Sequence, residues 1–169
     1  MAIGLLLVRL VAGGLMAAHG SQKLFGWFRG YGLTGTGTFF EQLGFRPGRL
    51  FAAAAGLTEV LGGVLVAMGF GGPIGPAFMV SVMIVAVVSV HWGHGLFAAT
   101  NGIEVPLLYA ASATALAFTG FGRYSLDALF GLTSMWTTAN AGIALALAAV
   151  GAIANLAARQ SAVPSSVHA

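Results

Sequence analysis

Few residues in this chain can do acid–base or ligand chemistry, and they fall into two groups. Arg9 and Glu59 each sit inside an apolar run. A charge in hydrocarbon costs at least about 2.5 kcal/mol unless it finds a partner or water, so both need an explanation. With runs starting near Ile3 and Leu50 and a rise of about 1.5 Å per residue, the two lie within a turn or so of the same depth, and they are expected to pair. The pair reads in two ways: as a structural ion pair that fixes helix register, or as groups that handle a ligand or a proton.

The second group is His19, Gln22 and Lys23 after the first apolar run, His91 and His94 after the third, and Glu104 at the start of the fourth. If the runs alternate in direction, all of these lie on one side. Three histidines and a carboxylate there suit a metal, a haem, a quinone head group or a proton relay. The plainer alternatives are that His91 and His94 are interfacial residues beside Trp92, and that Glu104 answers a helix dipole. His19 and Lys23 join a proton-transfer group to an anion-attracting one. Phe25, Trp27, Phe28 and Tyr31 read first as an interfacial aromatic belt and second as a stacking surface for a quinone or haem ring. No spacing matches a metal motif such as HExxH, so no metal is assigned, and no nucleotide-binding loop or nucleophile elbow is present. The absence of cysteine excludes disulfides, thiolate chemistry and Cys-ligated zinc or iron–sulfur centres within the chain.

The elements that must hold these residues follow from composition. Of 169 residues 58% are hydrophobic and 7% charged, against about a quarter charged in soluble domains. Five runs are long enough to approach a bilayer crossing of roughly 20 residues: Ile3 to Ala18, Leu50 to Met68, Ile74 to Val90, Val105 to Phe121 (at the short limit) and the Ala-rich Thr137 to Ala158. The first carries Arg9 and lacks a basic leader, so it reads as a retained span, not a signal peptide. Between the first two runs, Thr38 to Glu41 has capping-box spacing, which predicts a short interfacial amphipathic helix near residues 38–44. The fold class is therefore all-α: an integral membrane bundle of four core helices over 1–127, an additional apolar helix within 128–159 and a disordered tail over 160–169. Gly13-Gly14 and Gly62-Gly63 are expected to permit close helix contact. Lys23, Arg29, Arg46, Arg49 and Arg159 on one side against Arg123 on the other predict a cell-membrane protein with its N-terminus outside and its first loop cytoplasmic. The net charge of +3 is spread along the chain, and no nucleic-acid partner is expected.

At these same residues the sequence resembles the DoxX family of small membrane proteins, from about Leu5 to Asp127. The resemblance rests on Arg9, His19-Gly20-x-x-Lys23-Leu24, Gly56-x-x-Glu59-x-x-Gly62-Gly63, Asn101-Gly-x-Glu104-x-Pro106-Leu-Leu and Gly120-Phe-Gly-Arg-Tyr-Ser-Leu-Asp127. It implies a bundle of usually four spans. It also implies kinship with subunits associated with thiosulfate:quinone oxidoreductase and with members linked to redox balance and oxidative stress. The fifth apolar stretch departs from that pattern.

Two functions follow as expectations. The first is a subunit of a quinone-linked redox system, with His19, Glu59 and Glu104 handling protons, Arg9 and Lys23 as electrostatic partners, and His91 and His94 as ligand-binding candidates. Quinone is the favoured cofactor and haem the second. Without thiols or a recognisable flavin fold, such a chain needs an external electron donor, so it is at most a non-autonomous part of an oxidoreductase with protein partners in the bilayer. The second is a membrane scaffold or assembly factor without catalysis of its own, in which the buried charges are structural.

Overall fold

The computed structural model describes residues 2–160. The chain forms α1 (Ala2–Phe25), α2 (Gly32–Gln42), α3 (Gly48–Met68), α4 (Ile74–Ala86), α5 (Glu104–Thr119), the single turn α6 (Leu126–Leu129) and α7 (Thr138–Ala157), with no strand among the described residues. α4 continues through a π-helical turn at Val87–His91 and a 3₁₀ turn at Trp92–His94. Four helical stretches are long and apolar enough to cross a membrane: α1, α3, Ile74–His94 and α7. α5 has 16 residues, about 24 Å at 1.5 Å per residue, against a hydrocarbon core of about 30 Å. The expected fourth run is thus the short one, because Gly120 takes φ +69° and ends the helix. The C-terminal stretch has full span length.

The long helices alternate in direction, which gives the bundle two ends. α4 packs against α3, α5 and α7, while α1 lies along α3 and touches α5. Ala12, Met16, Val66, Met79, Met83, Ala113, Leu116 and Phe121 form the shared core. Large apolar side chains such as Leu7, Leu15, Leu57, Leu108, Leu147 and Ile153 face outward. An apolar exterior of this extent is unsuited to water and suited to lipid.

The α1–α3 contact is very close. A Cβ at Gly13 would lie 2.5 Å from the Gly63 carbonyl oxygen, and one at Gly20 would lie 2.5 Å from that of Gly56. Gly62 faces Phe78 and Gly75 of α4, whereas Gly14 meets nothing. The two glycine pairs therefore serve helix contact at three of their four positions.

This packing fixes the register and overturns the expected Arg9–Glu59 pair. Gly13 across from Gly63 and Gly20 across from Gly56 place Arg9 opposite the last turn of α3, and Glu59 opposite the last turns of α1. α1 runs on to Phe25, well past the apolar run that marks its start, so Lys23 is helical and reaches Glu59 instead. Arg9, 3% exposed, donates to the carbonyl oxygens of Ala67 and Tyr124. Carbonyls at a helix C-terminus carry partial negative charge, and Ala67 O in the last turn of α3 is one, while Tyr124 O comes from the connection between α5 and α6.

Both ends are closed by a mixture of side-chain to backbone and backbone to backbone bonds. At the Arg9 end, the Asp127 carboxylate accepts from Gly71 N–H (2.9 Å) and Gly72 N–H (2.8 Å), and Asp127 N–H donates to Gly69 O. At the Lys23 end, Gln160 N–H donates to Gly44 O (2.8 Å) and Arg159 Nε to Leu43 O (2.9 Å), which pins the end of α7 to the loop before α3. Gln160, expected to belong to the tail, is thus held; residues 161–169 lie outside the described residues.

α2 starts six residues before the predicted helix near 38–44, and Thr38 is interior to it, donating to Thr34 O instead of capping. Glu41 accepts from Gly48 N–H (3.1 Å), so the capping-box spacing serves the α2–α3 connection. The glycines of this segment read as a loop, yet Gly37 and Gly48 let α2 lie directly on the start of α3.

Candidate functional site

Lys23 on the last turn of α1 meets Glu59 in the middle of α3. Glu59 is 2% exposed, and its Oε1 accepts from Lys23 Nζ. Its Oε2 is buried with no partner. A carboxylate has about four lone-pair sites, and one left empty in a low-dielectric interior is costly. The pair is therefore only half satisfied, and the buried open oxygen can still take a proton or accept a hydrogen bond.

Lys23 also lines a cleft of about 290 Å³ enclosed by α2, α3, α4 and α7. Phe39, Phe40, Phe45 and Phe51 form its aromatic wall. Phe45 packs in tilted contact with Phe40 at 5.8 Å and with Phe51 at 5.3 Å, within the range of favourable ring contacts. The polar groups are few and separate: Thr58, Ser81, Ser89, His91 and Asn155, besides Lys23. Thr58 donates to Ala54 O (2.8 Å) and keeps an acceptor free. Ser89 Oγ is buried without a partner.

Local backbone explains why Ser89 and His91 are presented here. Both lie in the π-helical turn at Val87–His91. The i→i+5 pattern widens the helix, and such turns in natural helices are frequently found at functional sites. His91 Nδ1 faces the Asn101 carbonyl oxygen at 2.7 Å, so this nitrogen must donate. In the neutral ring Nε2 is then an acceptor. An apolar cavity with a few separated polar groups is the usual form of a small-molecule site, although this one is at the lower end of the common range of about 300–1,000 Å³.

The other candidates are placed as follows. His19 is exposed, sits edge-on to Tyr109 with centroids 6.1 Å apart, and shares with Lys23 a second, more open recess against α2. Glu104 accepts from Ala98 N–H (2.7 Å) and closes the 95–103 loop, and His94 Nδ1 bonds Val90 O one turn back. Arg9 is at the opposite end of the bundle. Lys23 and His91 thus line the cleft, Glu59 is reached through Lys23, His19 lies next door, and Glu104, at the start of α5, and His94 serve the connection between α4 and α5. Among the described residues no three of His, Asp and Glu come together as a metal set. Sequence reasoning missed Ser89, Asn155 and Phe51. One serine in an apolar run carries no signal until the π turn is seen.

The DoxX family model matches residues 4–92, more than half of the 169-residue chain, while no curated protein and no solved structure matches it. The matched stretch contains Arg9, Lys23, Glu59, Ser89 and His91, and ends before the Asn101 and Gly120 segments that also carry the resemblance. With four helical stretches able to span a bilayer and a family match that includes the buried ion pair, this chain is a multi-pass helical membrane protein and belongs to the DoxX family.

Proposed function

We propose that the chain is the quinone-binding membrane subunit of a redox system, with a ring head group held in the cleft between α2, α3, α4 and α7. The observation that carries this reading is the cleft's chemistry: aromatic walls around Ser89 Oγ, which is buried without a partner, and around His91, whose Nε2 is left as an acceptor. Its volume suits a single ring, with any isoprenoid tail left in lipid. A quinone, when bound, supplies a reversible two-electron, two-proton carrier. Phe40 and Phe51, backed by the buried Phe45, offer ring surface to a flat ring, and Ser89 donates to a ring oxygen. His91 Nε2 holds or accepts a proton there. Lys23 lines the cleft and carries Glu59 on its Nζ, so an ammonium at the wall is backed by a half-satisfied buried carboxylate that can hold a proton. With no thiol in the sequence, the electron donor belongs to a partner protein.

The test is titration of the detergent-purified protein with a short-chain ubiquinone analogue, read by equilibrium dialysis, beside an ultraviolet spectrum of its organic extract. Saturable binding near one per chain is expected, weakened about two- to twelvefold in Ser89→Ala, which removes one hydrogen bond worth about 0.5–1.5 kcal/mol. Absence of saturable binding to the folded wild-type protein would sink the reading. A quinone-free protein that still co-purifies with other membrane proteins would favour a scaffold.

A further inference from the structure

The second recess, about 580 Å³, lies between the last turn of α1, the Trp27–Arg29 turn and α2. His19, Gln22, Lys23, Arg29 and Tyr31, with Thr36, Thr38 and Gln42 of α2, contribute its polar lining, and no carboxylate does. Lys23 is held by Glu59, whereas the Arg29 guanidinium has no hydrogen-bond or ion-pair partner among the described residues. The other carboxylates at this end are already engaged: Glu41 takes Gly48 N–H and Glu104 takes Ala98 N–H. Five of the chain's seven Lys/Arg residues lie at this end, leaving it positive.

The backbone here is also unusual. Phe28 and Arg29 both have left-handed φ, 53° and 63°. That conformation is disfavoured for bulky side chains and persists only where surroundings enforce it. Gly30 N–H donates to Trp27 O (2.9 Å) and Gln22 Nε2 to Phe28 O (3.1 Å), which holds the turn. Phe25, Trp27, Phe28 and Tyr31 are exposed around it. Exposed aromatics mark the depth at which lipid head groups lie. The turn thus sets an unpaired guanidinium on a recess at head-group level.

We propose that this recess binds the phosphodiester head group of an anionic phospholipid, with Arg29 as its main ligand. A guanidinium matches two phosphate oxygens with a planar pair of N–H donors, and basic pockets beside membrane helices are suited to such lipids. The Tyr31 hydroxyl and the second Gln22 amide hydrogen add donors at the rim. The site is distinguished from the quinone reading by Arg29: Lys23, Phe39 and Phe40 border both cavities, but Arg29 lines only this one.

Native mass spectrometry of the detergent-purified chain, incubated with equal amounts of phosphatidylglycerol and phosphatidylcholine, tests it. Phosphatidylglycerol should be retained preferentially. Arg29→Gln should reduce that preference about fivefold, the effect of one surface cation. Arg123→Gln, at the opposite end, should leave it unchanged. Arg29→Lys, which keeps the charge and loses the paired donors, should fall between and keeps the test usable if Arg29→Gln misfolds. Equal retention of the two lipids, or a preference unaltered in both Arg29 variants, overturns the proposal. Displacement of phosphatidylglycerol by a few millimolar inorganic phosphate would assign the recess to a free anion and also overturn it. Unchanged ubiquinone-analogue binding in Arg29→Gln would keep the two sites distinct.

Discussion

A carboxylate that is 2% exposed within a membrane helix must have a partner, and Glu59 has half of one. Its partner is the more accessible of the two, with 26% of the Lys23 side chain exposed. This asymmetry predicts unequal single variants. Lys23→Met strands the buried carboxylate and should cost about 3–5 kcal/mol of stability. Glu59→Gln keeps the volume and frees an ammonium that can turn into the open recess, for about 1 kcal/mol. The double variant should lose less than the two singles together, measured by thermal unfolding in detergent. Equal losses in the two singles would mean that the pair is solvated. The sequence displays such residues readily, because 7% charge makes each one conspicuous. It does not display their partners. Arg9 and Glu59 looked paired because depth was counted from the ends of apolar runs, whereas register follows from Gly13 on Gly63 and Gly20 on Gly56. Ser89 was invisible for the opposite reason, since nothing in an apolar run announces a π turn.

Helices pack here through missing side chains, and the consequences differ between neighbouring glycines. A Cβ at Gly13 would be 2.5 Å from Gly63 O and 2.6 Å from Ala67 N, both main-chain atoms that cannot yield without parting α1 from α3. A Cβ at Gly14 would touch nothing within 4 Å. Gly13→Ala should therefore destabilise the protein by about 1–3 kcal/mol, as overpacking does. Gly14→Ala should be neutral or stabilising by up to about 1 kcal/mol from helix propensity. Thermal unfolding of the two variants side by side checks this, and similar midpoints would mean that α1 and α3 are not in close contact in the membrane. Glycine also explains where element boundaries were and were not legible. At Gly120 and Gly69 a positive φ ends a helix, and α3 ends where the sequence predicts. In α2 the same residue type is helical and buried against α3, so a segment that reads as loop is a helix from Gly32.

For the molecule as a whole, the all-helical membrane class followed from composition, and the fourth run already read as marginal, but its ranking did not hold: α5, expected as a core span, stops short, whereas α7, expected as an addition, has full span length. Orientation is the remaining global property, and charge sets it. Lys23, Arg29, Arg46, Arg49 and Arg159 gather at the end that holds α2 and the cleft, while Arg123 is the exposed cation at the other. Short positively charged connections stay cytoplasmic, which predicts α2 inside and the 120–137 segment outside. The natural absence of cysteine makes this directly measurable with single-cysteine variants. Ser134 and Gln42 are both exposed, at opposite ends. Ser134→Cys should react with a membrane-impermeant maleimide on intact cells, and Gln42→Cys only after permeabilisation. The reverse pattern would put the basic end outside. Phospholipid capture by Arg29 would then draw on the outer leaflet, and protons for the cleft would arrive from the opposite compartment.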